Sequence, residues 1–372
     1  MRIVVFSERL RAPYDEGIKN LTMHLSHALS AEHELLLLTS DGQDDPRFGL
    51  RNIDVNRALL DARLRKAIRH FDPEAIVYVP TACATVFSFV RARVLGYYGG
   101  DACTALLALQ PRPHTPVGRF FIRRLVSPRR GRAPLDWALA QSTRTSHALR
   151  DLGCRTALLP PAVDTARFRP ASPPEKAGLR AKYGIPASAR VVTQVGHLRS
   201  KRNLEHFLAF QARGARDYHT VVVASTSTPH DENVKNALTA AGTVVLDSYI
   251  PEVEDIYRLS DLYLFLAESD TAAIEVPLSV LEAMACNLPV VCTPFGGLRD
   301  FYAGGHGLYY WDGQEQLGDL VAAALSTAPS TRTLVESHTW TTAARACVRL
   351  LQEGRVRRAG SGLDQADLRR AG

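Results

Sequence analysis

Long apolar runs are missing from this 372-residue sequence. No segment approaches the roughly 20 consecutive apolar residues that cross a bilayer as a helix. The N-terminal MRIVVFSERL becomes charged too early for a secretory leader and predicts a first β-strand instead. The hydrophobic content of 46% is that of an ordinary globular protein. We therefore expect a chain that stays in the cytoplasm.

Cysteine is scarce, and its spacing fits neither a metal site nor a redox pair. Most of the cysteines lie in apolar strand or helix patterns, where a thiol behaves as a small hydrophobic group. The six are Cys83, Cys103, Cys154, Cys286, Cys292 and Cys347. We expect buried, reduced thiols, as in an intracellular protein.

The net charge of +7 is unevenly spread. Residues 117–132, VGRFFIRRLVSPRRGR, combine six arginines with large apolar side chains. This mixture suits a helix that lies on an anionic membrane or binds a phosphorylated acceptor. The alternative is a solvated face whose apolar side joins the core. No recognised nucleic-acid motif accompanies the arginines, so nucleic acid is not an expected partner. Residues 356–372 are basic and lack an apolar face, which predicts a disordered tail.

Short apolar runs alternate with helical patterns along most of the chain. The runs in the first half are 3–6, 35–38, 76–79, 106–109, 137–140 and 157–159. Those in the second half are 191–195, 221–223, 244–246, 262–266 and 290–291. Continuous apolar strands separated by helices indicate parallel sheets covered on both faces. Two successive sets predict an α/β protein with two Rossmann-like domains.

The boundary between the two domains is expected where proline and polar residues accumulate. Residues 170–178, PASPPEKAG, are the richest such stretch, which is typical of an exposed linker. The prediction is an N-terminal domain over 1–168, a linker over 169–186 and a C-terminal domain over 187–338.

The most informative segment is 274–300, IEVPLSVLEAMACNLPVVCTPFGGLRD. It predicts a helix that ends at Asn287-Leu288-Pro289, then a buried strand, then a turn at Gly296 and Gly297. Glycine lets the backbone of such a turn approach a ligand closely. Ligands of open α/β sheets bind at strand ends of this kind.

The run LEAMACNLPVV followed by Gly-Gly resembles the donor-sugar site of retaining GT-B glycosyltransferases of the family 4 type (group 1). The resemblance covers about residues 1–355 and is more specific in the second half. It implies two Rossmann-like domains whose parallel sheets face a central cleft. It also implies a last helix, over 339–355, that crosses back to the first domain with Trp340 as a packing anchor.

The resemblance assigns roles to two acidic positions. Glu282 matches the second acidic residue, which implies a hydrogen bond to the nucleotide ribose. The first acidic position falls on Ile274, and we expect Glu275, one residue later, to reach the sugar hydroxyls. Asn287 replaces the usual glycine.

The segment VGHLRSKRN, after the strand 191–195, offers positive charge to a diphosphate. Arginine binds phosphate oxygens bidentately and lysine acts as a point charge. Arg202 falls on the lysine position of the family turn, with Lys201, Arg199 or His197 as the second charge. Together with Glu275 and Glu282, Arg202 and Lys201 are the predicted catalytic residues. The predicted donor-binding residues are Gly196, His197, Arg199, Tyr249, Ile250, Pro277, Leu278, Ser279, Phe295, Gly296, Gly297 and Leu298.

The acceptor side is expected in the first domain. The loop after the first strand retains one glycine, Gly17, where the family usually has two. Family members often carry a histidine after the fourth strand, and that position falls on or near Gln110. The predicted acceptor-side residues are Glu16, Gly17, Lys19, Asn20, Gln110, Arg112 and His114.

These features predict transfer of a sugar from an NDP-sugar, UDP or GDP being favoured, to an acceptor hydroxyl with retention. No Asp-x-Asp pair suits a metal-bound diphosphate, since Asp44-Asp45 lies in a polar loop. We therefore expect no metal and no cofactor besides the NDP-sugar co-substrate. The acceptor is a sugar, a lipid-linked intermediate or a small molecule. Two alternatives stay open, namely another enzyme on the same architecture and a degenerate GT-B subunit that binds a partner without catalysis.

Overall fold

The computed structural model describes residues 1–81, 85–110, 114–127, 135–199, 202, 204–212, 218–227 and 229–370. Of residues 211, 212 and 360–370 it describes the main chain alone. The chain forms two compact units. Unit 1 comprises Met1–Tyr14, Ile18–Pro160 and the segment from Trp340 onward, and unit 2 comprises Asp15–Gly17 and Pro161–Thr339.

Unit 1 is built on a seven-stranded sheet whose strands all pair in parallel. Its strands are β1 (Arg2–Ser7), β2 (Glu34–Thr39), β3 (Leu50–Asn52), β4 (Ala75–Tyr78), β5 (Cys103–Ala108), β6 (Trp137–Ala140) and β7 (Thr156–Leu158). The helices between them are α1 (Gly17–Ser30), α2 (Ala62–Phe71), α3 (Val86–Tyr98), α4 (Pro116–Val126) and α5 (Thr143–Asp151). The strand order is β3-β2-β1-β4-β5-β6-β7.

Unit 2 repeats this plan with six parallel strands in the order β10-β9-β8-β11-β12-β13. The strands are β8 (Arg190–Gly196), β9 (Tyr218–Ala224), β10 (Val244–Leu246), β11 (Leu262–Phe265), β12 (Val290–Cys292) and β13 (Leu308–Tyr310). The helices are α6 (Pro173–Lys182), α7 (Leu204–Ala212), α8 (Glu232–Ala240), α9 (Val253–Leu259), α10 (Leu278–Ala285), α11 (Leu298–Phe301), α12 (Leu317–Ser326) and α13 (Arg332–Val335).

The two parallel sheets confirm the predicted α/β fold. The inner strands are buried along their whole length, as in β4, β5 and β11. Strands covered on both faces need apolar residues at every position, which is why their sequences run without polar alternation. The edge strands β3 and β13 were not predicted. Each has three residues; β3 reads Leu-Arg-Asn and β13 reads Leu-Tyr-Tyr, so neither contains a run of aliphatic residues.

The predicted linker contains a helix. In α6, Ser172 accepts a hydrogen bond from the amide of Glu175 and the Glu175 side chain accepts one from the amide of Ser172. This capping box stabilises a helix start that Pro173 also favours. The carboxylate of Asp261 then accepts hydrogen bonds from Lys176 and Arg180 of this helix. The chain divides between Pro160 and Pro161 rather than after residue 168.

Helix α14 (Trp340–Arg370) belongs to unit 1 and continues through the segment we expected to be disordered. Two basic residues near that segment form ion pairs with unit 1. Arg358 bonds to Asp136, and Arg355 pairs with Glu74. A Cβ at Gly354 would collide with the sulfur of Cys103, so this glycine lets α14 lie close to β5. Trp340 stacks on His24 with ring centroids 5.2 Å apart.

All five cysteines whose side chains the structure describes are buried free thiols, as predicted; Cys83 lies outside the described residues. Among the described residues, no helix combines the length and apolarity that a bilayer-spanning segment needs.

Candidate functional site

The carboxyl ends of β8 and β11 mark the point in unit 2 where the strand order reverses. β9 and β10 lie on one side of this pair and β12 and β13 on the other. Crevices at such switch points are the usual ligand sites of open α/β sheets. The predicted basic turn follows β8, and the predicted Gly-Gly turn follows β12, one strand beyond β11.

Arg202 lies at this switch point and is buried, with 7% of its surface exposed. Its guanidinium carbon is 5.5 Å from the centroid of the Phe265 ring at the end of β11. A Cβ on Gly196 would sit 2.8 Å from Nη1 of Arg202, so the glycine makes room for the guanidinium. Burial lowers the pKa of Arg202.

The guanidinium of Arg202 has no carboxylate partner among the described residues, and its Nε has no hydrogen-bond acceptor there. A buried charge without a counter-ion is costly. The site is therefore electrostatically incomplete in the way that a bound anion would correct.

Phe265 connects the basic turn to the Gly-Gly turn. One neighbour of its ring is Arg202, and the other is Phe295, whose centroid is 5.4 Å away in an edge-to-face arrangement. Phe295 is buried and directly precedes Gly296. No sequence pattern singles out Phe265, because one aromatic residue in a buried strand is indistinguishable from ordinary core.

Gly296 and Gly297 form a turn against the backbone of Glu275. Gly296 adopts φ +54°, and a Cβ there would collide with the carbonyl oxygen of Glu275. The amide of Gly297 donates to that same oxygen over 2.9 Å. Glu275 is 1% exposed and Ile274 is 3% exposed. The structure thus places the predicted Gly-Gly turn in direct backbone contact with the predicted Glu275.

Glu282 lies on α10 and is also buried. Its Oε2 accepts a hydrogen bond of 2.7 Å from the hydroxyl of Tyr257. Burial raises the pKa of Glu282 to about 7, although Tyr257 and the charge of Arg167 both favour the ionised form. The side chain is therefore balanced between its protonated and ionised states near neutral pH.

The other predicted donor-binding residues surround the same strand ends. His197 and Arg199 follow Gly196, and the carbonyl of Arg199 accepts from the amide of Arg202. Pro277 caps α10, Leu278 is buried in its first turn, and the side chain of Ser279 bonds to Tyr263. Leu298 is buried at the start of α11. Tyr249 and Ile250 follow β10 at the sheet edge, where Tyr249 is exposed and Ile250 packs on a core cluster. Lys201 lies outside the described residues.

The predicted acceptor-side residues fall into two groups. Gln110 and His114 follow β5, and burial, reinforced by Arg119, lowers the pKa of His114. Arg112 lies outside the described residues. Glu16 and Gly17 cluster with unit 2, where a Cβ on Gly17 would be 3.4 Å from Ile274. Lys19 and Asn20 lie in α1, and Nζ of Lys19 is 3.5 Å from the carbonyl of Pro13.

A further polar cluster lies at the switch point of unit 1, between β1 and β4, and was not predicted. Glu8 accepts hydrogen bonds from the hydroxyl of Tyr78, the amide of Thr81 and Nη1 of Arg91, the last over 2.7 Å. Burial and the charge of Glu8 raise the pKa of Tyr78. The signal in the sequence was a glutamate directly after the first strand, but its arginine partner is 83 residues away.

Within the described ranges, no group of three or more His, Cys, Asp or Glu side chains is arranged to hold a metal ion.

Residues 189–328 match the family model described as glycosyl transferases group 1. By this similarity we call residues 189–328 the glycosyltransferase segment. The matched range contains the basic turn, both buried glutamates and the Gly-Gly turn of the glycosyltransferase segment.

Curated relatives of this chain are about a quarter identical to it, or slightly more, over the aligned residues. The D-inositol 3-phosphate glycosyltransferase of Kineococcus radiotolerans is 28% identical over 160 residues, which are 39% of this chain and 35% of that relative. The lipopolysaccharide core biosynthesis mannosyltransferase LpsB of Rhizobium meliloti is 27% identical over 221 residues, which are 57% of this chain and 55% of that relative. The matches thus span roughly a third to a half of these relatives.

Similarity to solved structures extends over almost the whole fold. Anabaena Alr3699/HepE, solved in complex with UDP, superimposes with a TM-score of 0.75 at 15% identity, covering 95% of this chain and all of that one. At this identity the similarity shows the fold alone, and the fold is the GT-B architecture of two parallel-sheet domains.

Proposed function

We propose that this chain is a glycosyltransferase that moves a sugar from an NDP-sugar, UDP being the favoured nucleotide, to an acceptor hydroxyl. The observation that carries this proposal is the buried guanidinium of Arg202, which has no counter-ion among the described residues and lies at the switch point of the glycosyltransferase segment. A nucleotide diphosphate supplies the missing negative charge. Relatives named as glycosyltransferases, and neighbours solved with UDP or UDP-glucose, support the same assignment.

Departure of the nucleoside diphosphate is the step that this geometry favours. As the bond between the anomeric carbon and the phosphate oxygen breaks, negative charge accumulates on the leaving diphosphate. A fixed guanidinium in a water-poor site stabilises that charge without reorganisation, which lowers the barrier. The stack on Phe265 and the space left by Gly196 hold the group in place before substrate arrives.

The two buried glutamates are proposed to position the donor. Glu282 would hold the ribose hydroxyls, and Glu275 would bind the sugar beside the Gly-Gly turn. Retention of anomeric configuration and independence of divalent metal belong to the proposal as implications of the family resemblance.

The deciding experiment is a thermal-shift panel with UDP, GDP, ADP, TDP and CMP, each with Mg²⁺ and with EDTA. A diphosphate at about 100 times its dissociation constant should stabilise the protein by roughly 2.7 kcal/mol. We expect the largest shift with UDP, unchanged by EDTA. Absence of a shift with every nucleotide would contradict a donor site, and a shift that needs Mg²⁺ would contradict metal independence.

Variants at Arg202 make the panel specific to the site. Replacing Arg202 by Met should weaken UDP binding about 10- to 100-fold, since hydrogen bonds to a charged group are lost. The same variant should melt higher than wild type without ligand, because a buried charge without a counter-ion is removed. Arg190→Met, at the exposed opposite end of β8, is the matched control and should change neither property. Wild-type UDP affinity in the Arg202→Met variant would remove Arg202 from the site.

A further inference from the structure

Arg167 is fixed beside helix α9, which also carries the hydrogen-bond partner of Glu282. Nε and Nη2 of Arg167 donate to Oε2 of Glu254 over 2.9 and 2.7 Å, and Nη2 also donates to the carbonyl of Pro251. Glu254 and Tyr257 are three residues apart in α9, so their side chains leave the same face of the helix. The hydroxyl of Tyr257 donates to Glu282. One face of α9 thus connects the guanidinium of Arg167 to the carboxyl group of Glu282.

The ring of Phe168 makes a second connection between these two groups. The Cζ atom of Arg167 lies over this ring, 5.2 Å from its centroid. The same ring contacts Tyr257 edge to face, with centroids 5.7 Å apart. Because Phe168, Tyr257 and Glu282 are buried, the charges of this cluster are screened less than charges at the surface.

The backbone that carries Arg167 is held by two neighbouring side chains. Oδ1 of Asp164 accepts from the amide of Arg167 over 3.0 Å. Arg332 of α13 donates to the carbonyls of Thr165 and Phe168. The fold therefore fixes the position of the guanidinium.

Glu282 responds to two opposite charges in this cluster. Burial raises the pKa of Glu282 to about 7, while the charge of Arg167 lowers that pKa and the charge of Glu254 raises it. Two carboxyl groups therefore share one guanidinium, and the balance between them acts on Glu282 near neutral pH.

The remaining titratable groups near Glu282 do not change their charge in that range. Burial raises the pKa of Cys286 to about 12 and that of Tyr263 further still, so both stay uncharged. The other titratable or charged side chains around Glu282 or its neighbour Cys286 are Tyr263 of β11, Arg258 of α9 and Arg332 of α13. The arginines act on the thiol of Cys286 and keep a constant charge.

We propose that Arg167 is a positioning residue of the donor site, which keeps Glu282 in the carboxylate form that binds the ribose and thereby sets the pH range of nucleotide binding. The inference rests on the proposed function, in which Glu282 holds the ribose. A carboxylate accepts hydrogen bonds from ribose hydroxyls through both oxygens, whereas a protonated carboxyl group has one oxygen that donates. Nucleotide affinity therefore rises with pH until Glu282 is ionised.

UDP binding to the full chain, measured between about pH 5.5 and pH 9, tests this proposal. We expect wild-type affinity to rise up to about pH 7 and then to level off. Arg167→Gln removes the charge and should move that point up by about one pH unit. About a half of Glu282 is then ionised at pH 7 in wild type and about a tenth in the variant, so UDP should bind roughly fivefold more weakly there and almost equally at about pH 9. The terminal phosphate of UDP also titrates, but alike with every variant, so it cancels in the comparison.

Three further variants separate the charge of Arg167 from a structural role. Glu254→Gln should move the curve to lower pH, because it removes a negative charge that opposes ionisation of Glu282. Arg167→Lys should return the curve towards wild type, because it restores the charge. Arg169→Gln, whose guanidinium pairs with Glu175, is the matched control and should leave the curve in place.

Three results would overturn the proposal. One is a loss of affinity in Arg167→Gln by the same factor at every pH, which a structural role would give. The second is an equal shift in Arg167→Gln and Arg169→Gln, and the third is an Arg167→Lys curve that stays with that of Arg167→Gln.

Thermal melts without nucleotide keep this test separate from that of the proposed function. The stability difference between a protein and its Glu282→Gln derivative varies with pH only while Glu282 titrates. It should stop growing about one pH unit higher in the Arg167→Gln background than in wild type. An unchanged end point would show that Arg167 does not act on Glu282, whereas absence of UDP binding to wild type would contradict the proposed function instead.

Discussion

At the residue scale, the protonation of Glu282 connects the candidate site to the stability of the fold. The carboxyl group is enclosed by core, has the Tyr257 hydroxyl as a partner, and has its pKa raised from 4.5 to about 7. Because the folded state holds this proton more tightly than the unfolded chain, the group costs stability as pH rises. The cost is absent below about 4.5, grows until about 7 and is constant above that.

Replacing Glu282 by Gln should therefore stabilise the protein relative to wild type at pH 8 but not at pH 4.5. The difference in unfolding free energy should grow by up to about 3 kcal/mol between these values. Thermal melts without nucleotide, at several pH values, measure it. Glu268→Gln, at an exposed glutamate, is the control and should give a constant difference. If the Glu282→Gln difference does not vary with pH, the carboxyl group is ionised throughout.

Sequence patterns identify residues of the candidate site but not how deeply they are buried or which side chains they contact. The spacing of the basic turn placed Arg202 after a strand, and the structure adds that the guanidinium is buried, lies over the Phe265 ring and has no carboxylate partner in the described part of the chain. Those properties depend on Phe265, 63 residues further along the chain, which no local pattern connects to the turn. The same reason hid the Glu8–Arg91 pair in unit 1.

At the element scale, the Gly-Gly turn shows why a short sequence signature can be strict. Two demands coincide at Gly296, a positive φ and a carbonyl oxygen lying where a Cβ would be. Alanine is strained at this positive φ, and its Cβ would collide with the carbonyl oxygen. The turn would therefore have to open, which would lengthen the hydrogen bond from the amide of Gly297 to the carbonyl oxygen of Glu275. The end of the helix before β12 tolerates a residue other than glycine. Asn287 adopts φ 58° there, and its side chain forms hydrogen bonds with the backbone of Arg332 and Pro329.

The variant Gly296→Ala should lose UDP affinity and stability together. Gly242→Ala is the matched control, because Gly242 also has positive φ, +87°, but nothing lies within 4 Å of its Cβ position. The control should cost about 1 kcal/mol and keep UDP binding. Thermal melts with and without UDP measure both effects. Normal UDP affinity in Gly296→Ala would show that the turn lies outside the donor site.

Elements whose identity depends on long apolar runs could be predicted, and elements that depend on tertiary partners could not. The buried strands were found because both their faces are covered. Helix α6 was missed because its proline-rich start resembles a linker, and its partner Asp261, which accepts from Lys176 and Arg180, is 85 and 81 residues away in the sequence. The start of the segment 356–372 was missed for a similar reason, because Arg358 pairs with Asp136, which lies 222 residues away in the sequence.

At the scale of the whole molecule, α14 is the element that completes unit 1. The amide of Thr104 and the guanidinium of Arg358 both donate to the carboxylate of Asp136, whose side chain is 7% exposed. The indole of Trp137 donates to the carbonyl of Leu350 over 2.6 Å. Helix α14 therefore supplies hydrogen-bond partners to Asp136 and Trp137 at the start of β6.

Removing Arg358 should loosen this part of unit 1. Arg358→Ala leaves the carboxylate of Asp136 buried without its cation, which should cost about 3 kcal/mol. Arg355→Ala, whose partner pair is more exposed, should cost less than about 1 kcal/mol. Hydrogen exchange of the β5 and β6 amides measures the effect locally. If the β5 and β6 amides are equally protected from exchange in the two variants, the ion pair between Arg358 and Asp136 does not stabilise the sheet.

The division of unit 1 into segments on either side of Pro161–Thr339 also fixes an order of assembly during synthesis. Unit 2 is synthesised before α14, so the core of unit 2 can begin to form while β5 and β6 still lack their covering helix. Unit 1, whose synthesis begins first, is therefore the unit whose fold is completed last. In that interval, its exposed strands are the part of the nascent chain most in need of chaperone protection.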